Sequence, residues 1–216
     1  MIEGQLIVIE GVDGAGTTTQ AARLAKRLGG RGLPVHTTRE PSDGPIGALL
    51  RQILTGRVVV PGMRGVKSPS WQTMALLFAA DRMDHCEAEI VPNLMDGVTV
   101  ISDRYDHSSV AYQSISGGGE LANVDWVRTL NRHARRPDLI VVLDVPVEIA
   151  GQRRDARGGP PEMYEDDEMQ EQLTAFYANL EQHFPGDNIV HVDGAQVVDE
   201  VAAAVMHQVR VLRNEA

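Results

Sequence analysis

The sequence predicts an α/β fold in three layers, a parallel sheet with helices on both faces. Three observations lead there. Short apolar runs without polar alternation, such as Leu6–Ile9 and Leu139–Leu143, read as strands buried on both sides. Segments of helical character separate these runs along the whole chain, the pattern that right-handed crossovers require. Glycine-rich or charged clusters follow the runs directly, at the strand ends where open parallel sheets bind ligands.

The elements follow in order. Leu6–Ile9 is the first strand, and Ala21–Leu28 has the alanine and leucine content of a helix. Pro34–Thr38 is the second strand, stopped at Pro41, and Ile46–Leu54 a short helix. Residues 55–69, rich in Gly, Pro and basic side chains, read as a flexible connector. A long helix is expected from Ser70 to Leu94, capped by Ser68-Pro69-Ser70. Val98–Ser102 is a buried strand, followed by helices over 106–116 and 124–135 around Gly117-Gly118-Gly119. After the Leu139–Leu143 strand, a helix from Pro146 breaks up near Gly158–Pro161. Met163–His183 reads as helix, Ile189–Val192 as the last strand and Val197–Leu212 as the last helix. No repeat or second domain is evident, so one domain over residues 1–216 is expected.

Composition narrows the function. The net charge of −10 argues against a nucleic-acid-coating surface, although a phosphate site needs only a few focused cations. Arginine dominates the basic residues, with lysine only at Lys26 and Lys67, and arginine is the better bidentate phosphate ligand. No apolar run spans a bilayer and no signal pattern precedes the first strand, so no membrane partner and a cytoplasmic location are expected. Cys86 is the only cysteine, which excludes an internal disulfide and a cysteine metal cluster.

Leu6–Gln20, LIVIEGVDGAGTTTQ, is strand, glycine loop and helix start. In such a loop successive backbone N–H groups converge on an anion at a helix N-terminus. Gly11, Gly16 and Thr18 fit G-x-x-x-x-G-K-[ST], but Thr17 occupies the lysine position. Threonine supplies neither the charge nor the reach to donor phosphates, so the loop taken alone fits a bare turn as well as a phosphate site. Asp103-Arg104-Tyr105 supplies a second clue at another strand's carboxyl end: a carboxylate suited to Mg²⁺ and an arginine suited to a transferred phosphoryl group.

The run D-R-Y-x-x-S-S-x-A-Y-Q from Asp103 to Gln113 resembles the signature of the thymidylate kinases. Thr38-Arg39-Glu40-Pro41, Leu76-Leu77-Phe78-Ala79-Ala80-Asp81-Arg82 and Leu143-Asp144-Val145-Pro146 resemble further segments of that family in the same order. The resemblance covers nearly the whole chain. It implies a P-loop kinase fold with a five-stranded parallel sheet, and transfer of the ATP γ-phosphate to dTMP with Mg²⁺. It also implies a homodimer.

Residue roles follow from the resemblance. Gly11, Asp13, Gly14, Ala15, Gly16, Thr17, Thr18 and Thr19 would line the ATP phosphates, with Thr18 and Asp103 toward the metal. Asp13 would also approach the deoxyribose 3′-hydroxyl. Arg39 and Arg104 would hold the acceptor phosphate, Arg104 bridging to the donor. Phe78 would stack on thymine, Arg82 would reach its O4, Ser109 and Gln113 would lie at the pyrimidine edge, and Tyr112 would sit under the sugar. A lid over about 150–162 would bring Arg153 and Arg157, four residues apart on one helix face, onto ATP. Glu162, Glu165 and Asp166 are read first as solvated, with lid partners or metal-water contacts the alternatives. With Thr17 in place of lysine, weakened ATP binding and a slow chemical step are expected, unless the lid arginines compensate. Two alternatives stay open: a nucleotide-binding homologue whose catalysis has lapsed, and a kinase for a modified deoxypyrimidine monophosphate.

Overall fold

The computed structural model describes residues 3–63, 65–158, 163–164 and 166–215. In chain order the first elements are β1 (Leu6–Glu10), α1 (Thr17–Gly29), β2 (Val35–Arg39), α2 (Pro45–Leu54), β3 (Val60–Gly62) and β4 (Gly65–Lys67). Next come α3 (Trp71–His85), a π-helical turn (Cys86–Ile90), α4 (Val91–Met95), β5 (Thr99–Asp103), α5 (Asp106–Ser116) and α6 (Leu121–Leu130). The chain continues with β6 (Leu139–Asp144), α7 (Val147–Arg157), α8 (Asp167–Tyr177), α9 (Leu180–His183), β7 (Ile189–Asp193) and α10 (Val198–Leu212).

Five strands form one parallel sheet in the order β2-β5-β1-β6-β7, as the apolar runs require. β1 is central, and Leu6 to Glu10 are all at 0% exposure. Each aliphatic side chain buried there contributes about 1.5–3 kcal/mol. The loop leaving β1 is therefore anchored to the best-packed strand of the sheet. Helix α1 buries Thr17, Gln20, Ala21, Leu24 and Leu28, a stripe at helical spacing, and packs against β1, β2, β5 and α10. A second, smaller apolar cluster of Leu50, Ile53 and Met74 lies between α2 and α3. No helix among the described residues is long and apolar enough to cross a membrane.

Several boundaries differ from the sequence reading. The expected connector 55–69 contains an antiparallel hairpin, Val60 pairing with Lys67 and Gly62 with Gly65. Its β-branched valines favour strand over the loop that Gly and Pro suggest. The long helix is interrupted by the π turn, with the Val91 N–H bonded to the Cys86 carbonyl. The widening falls just ahead of Pro92, which has no N–H to offer a regular helix. Helix α6 begins three residues earlier than expected and stops at Leu130, where the Asn131 amide turns back onto the Val127 carbonyl at 2.8 Å. The helix expected from Met163 starts only at Asp167, because Asp166 caps it by accepting from the Met169 N–H at 3.2 Å, and α9 is separate.

An ionic cluster fastens the start of α5 to the loop before β7. Arg136 bridges Asp106 and Asp187, and the buried His107 ring meets Asp187 at 3.0 Å. Burial opposes the Asp187 charge, but His107 and Arg136 outweigh it and hold the carboxyl below its ordinary value of 3.8. Its stabilisation is therefore complete above that value and is lost as pH falls through the depressed folded-state value. Asp187→Asn is expected to cost about 1.5–3 kcal/mol at neutral pH, the scale of a hydrogen bond to a charged group. Melting curves of both proteins down the acid range should converge below the ordinary carboxylate range; a constant gap would contradict the assignment.

Candidate active site

The phosphate loop follows directly from β1. Gly14 and Gly16 adopt φ of 92° and 97°, and Gly16 caps α1. A Cβ at Gly14 would lie 2.3 Å from the Ala150 carbonyl oxygen and 3.1 Å from Arg154 Cγ, so only glycine lets helix α7 approach the loop. Thr17 is the first residue of α1 and is buried. The Thr18 hydroxyl donates to Asp103 Oδ2. Asp103 Oδ1 is buried without a hydrogen-bond partner among the described residues.

Two clefts open on this loop. The first is lined by Leu54, Phe78, Arg82, Ser109, Tyr112, Gln113 and Tyr164. The second runs along Gly14 to Thr19, past Arg153, Arg154 and Arg157, to Gly194, Gln196 and Val198. Asp13 and Arg104 line both. They are joined by a hydrogen bond from Arg104 Nη2 to Asp13 Oδ1 at 2.6 Å. Register explains the meeting: β1 pairs with β5 so that Ile9 lies opposite Asp103, bringing Arg104 to the mouth of the loop.

Arg104 has φ of 72°, in the left-handed region that costs a non-glycine residue about 1–3 kcal/mol. Its guanidinium also donates to the Gly11 carbonyl at 2.9 Å and to Ser108 Oγ at 3.1 Å, and lies 5.3 Å from the Tyr112 ring centroid. Burial works against its charge, yet Tyr112, Asp13, Tyr177 and Glu10 together hold its pKa well above the usual arginine value. Behind it Glu10 is fully buried and accepts from the Tyr105 N–H at 2.8 Å, Ser108 Oγ at 2.6 Å and Tyr177 Oη at 2.9 Å. Burial pushes the Glu10 carboxyl up, against the opposing pull of His107, Arg104 and the two hydroxyls. These bonds fix the turn from β5 into α5, which carries Arg104.

Arg82 is 1% exposed and is paired with Glu40. It also donates to Asn131 Oδ1 at 2.6 Å and Ser109 Oγ at 3.0 Å. Glu40 in turn meets His85 Nδ1 at 3.3 Å. Arg82 Nε and Gln113 Oε1 are buried with no hydrogen-bond partner among the described residues. Tyr164 stands edge-on to Tyr112 and receives a long bond from Gln113 at 3.4 Å.

Most of the expected residues line the two clefts, Gly11 and Asp103 join them through Arg104 and Thr18, and Arg39 stands apart. Arg39 points to the exposed Asp43, at 2.9 Å, and lines neither cleft. On helix α7, where the lid is expected, Arg153 donates to the carbonyls of Ala15 at 3.3 Å and Gly194 at 3.0 Å. Arg154 donates to the carbonyl of Asp13 at 2.9 Å. The expected lid is described only as far as Gly158; its remainder, with Glu162 and Glu165, lies outside the described residues. Asp166 caps α8. Sequence reasoning misses Glu10, Ser108, Tyr164 and Gln170, and misses Glu40 as the partner of Arg82. Glu40 left a signal as an acid beside Arg39 at a strand end, and Ser108 as the first serine of the D-R-Y-x-x-S-S run.

A parallel sheet of this order, with a glycine phosphate loop on its central strand and two clefts meeting beside that loop, defines a protein of the P-loop kinase fold. The family model for thymidylate kinase matches residues 9–205. A probable thymidylate kinase of Pyrococcus horikoshii is 37% identical over 96% of this chain and 98% of its own length. One of Thermococcus gammatolerans is 41% identical over 89% and 90%, and a thymidylate kinase of Xylella fastidiosa is 41% identical over 82% and 76%. The chain belongs to the thymidylate kinase family.

The buried Glu40–Arg82 pair yields a stability test. Removing one partner strands the other charge, a loss of about 3–5 kcal/mol. Glu40→Ala is expected to show that loss in urea unfolding. A loss under about 1 kcal/mol, the scale of an exposed pair, would mean Glu40 does not neutralise Arg82.

Proposed function

We propose that this protein is an ATP-dependent dTMP kinase, forming dTDP and ADP. The observation that carries the reading is the meeting of two clefts at Asp13 and Arg104, in a chain of this family. A phosphoryl group moving between nucleotides has to cross such a junction. The other two sequence readings, a lapsed homologue and a kinase for a modified pyrimidine, gain no support from the relatives.

In this reading thymine lies in the first cleft against Phe78. An aromatic face contributes about 1–3 kcal/mol per stacked base. Arg82, fixed by Glu40, Asn131 and Ser109, presents a donor to the 4-oxo group, and the unpartnered Arg82 Nε and Gln113 Oε1 support a ligand with complementary edges. Tyr112 packs under the sugar and Asp13 addresses its 3′-hydroxyl. ATP occupies the second cleft, its phosphates on the N–H groups from Gly14 to Thr19 and its adenosine toward Gly194 and Gln196. Arg153 and Arg157 face it from the lid.

The metal fits the residues present. A hydroxyl and a carboxylate with a free buried oxygen are hard oxygen donors, the set that Mg²⁺ selects. Thr18 and Asp103 would hold it, and when bound it neutralises charge on the β- and γ-phosphates. The chain's own residues supply the alignment. A phosphate oxygen of dTMP attacks the γ-phosphorus in line, the bond to the β-bridging oxygen breaks, and ADP leaves with that electron pair. Arg104 stays charged throughout, placed to neutralise the group in transit.

The proposal includes one domain, a cytoplasmic location and a homodimer. Exposed Leu76 and Met83, two turns apart on α3, support a self-association face.

An ADP-release assay across dTMP, dUMP, dCMP and dGMP tests the function. The highest kcat/KM is expected for dTMP, with dCMP at least about 10²-fold lower, because a site built for one hydrogen-bond pattern leaves buried groups unpaired by another. Arg82→Ala should erase most of that difference. Equal turnover of all four, or none, would refute the assignment.

A further inference from the structure

Thr17 leaves the phosphate loop without its usual fixed cation, and the kinase reading makes that a chemical problem. The cations lining the donor cleft are Arg104, Arg153, Arg154 and Arg157. Arg104 is committed to Asp13, Gly11 and Ser108. Arg153 spans from Ala15 to Gly194. Arg157 is the exposed last residue of α7.

Arg154 differs from all three. Its side chain is 8% exposed, and its stem lies against Gly14, where a Cβ would come within 3.1 Å of Arg154 Cγ. Nη1 is anchored on the Asp13 carbonyl, within the phosphate loop itself. Its other contacts are weak: Gln170 Oε1 and Asp167 Oδ1 both stand at 3.5 Å, and Asp167 is 92% exposed. A guanidinium carries five N–H donors, so these contacts leave capacity for phosphate oxygens. Gln170 braces the arrangement from α8; it is fully buried and donates to Asp13 Oδ2 at 3.1 Å and to the Tyr164 carbonyl at 2.7 Å. Arg154 is therefore held against the loop by its bond to the Asp13 carbonyl, as a loop lysine would be held by its own attachment.

We propose that Arg154 supplies, from helix α7, the fixed positive charge on the donor phosphates that Thr17 does not. The inference rests on the kinase reading. It requires that Gly14 and Arg154 work together, the missing side chain of one making room for the other.

The test combines Arg154→Ala, Arg154→Lys and the double variant Thr17→Lys/Arg154→Ala. The readouts are kcat with dTMP, and calorimetric affinities for the β,γ-imido analogue of ATP and for dTMP. Arg154→Ala is expected to lower kcat by about 10²-fold or more, the scale of a preorganised charge contact in such reactions. It should weaken the analogue by about tenfold and leave dTMP affinity within about threefold. The double variant should regain at least about tenfold in kcat, because the lysine restores the charge from the loop side. Arg154→Lys keeps charge and packing and should stay within about tenfold of wild type, which separates lost charge from lost fold. An Arg154→Ala within threefold of wild type in both kcat and analogue affinity, an Arg154→Lys as slow as alanine, or a double variant without rescue would each overturn the proposal. A wild type that turns over no dTMP would refute the kinase reading alone, and the analogue affinity of Arg154→Ala would still decide the inference.

Discussion

The register of β1 against β5 is the constraint on which the site depends. Opposite Ile9 stands Asp103, so the phosphate loop and the Asp103–Arg104 pair leave neighbouring strands at the same height. A slip of one residue would exchange the two faces of β5 and turn Asp103 from Thr18. The slip is opposed by packing on both sides of the sheet, where Leu6 to Ile9 and Val100 and Ile101 are completely buried. Apolar burial thereby fixes the position of the charged groups.

Those charged groups carry local costs. Arg104 holds a left-handed backbone, Glu10 keeps a carboxyl in the interior, and Glu40 and Arg82 form an ion pair cut off from water. Each is tolerated because its neighbours determine it several times over. Glu10 accepts from two backbone N–H groups and two hydroxyls, so the turn that strains Arg104 is closed from behind. Arg82 is oriented by Glu40, Asn131 and Ser109, so a ligand that meets it need not order it. Preorganisation of this kind suits a reaction that asks the protein for positioning and charge rather than covalent chemistry.

The strands and the phosphate loop were legible because their signals are local: continuous apolar runs, and glycines at fixed spacing. The short motifs that resemble the family located Phe78, Ser109, Tyr112 and Gln113, and the structure gathers all four on one cleft. What escaped is tertiary. Arg82 meets Glu40 across 42 positions, Arg154 meets Asp13 across 141 and Gln170 meets Asp13 across 157. No periodicity or propensity encodes such pairings. The hairpin of β3 and β4 escaped for the opposite reason, because Gly and Pro signal a loop whether or not valines beside them pair. Arg39 stands at the strand end where the motif puts it, and its side chain pairs with the exposed Asp43.

The central claim is that a phosphoryl group crosses between the two clefts at Asp13 and Arg104. A crystal structure with adenosine and thymidine joined through five phosphates tests it most directly. The account predicts thymine against Phe78, adenosine beside Gly194 and Gln196, and the phosphate chain passing Arg104 over the glycine loop. Thymine outside the Phe78 cleft, or a phosphate chain that avoids Arg104, would contradict it.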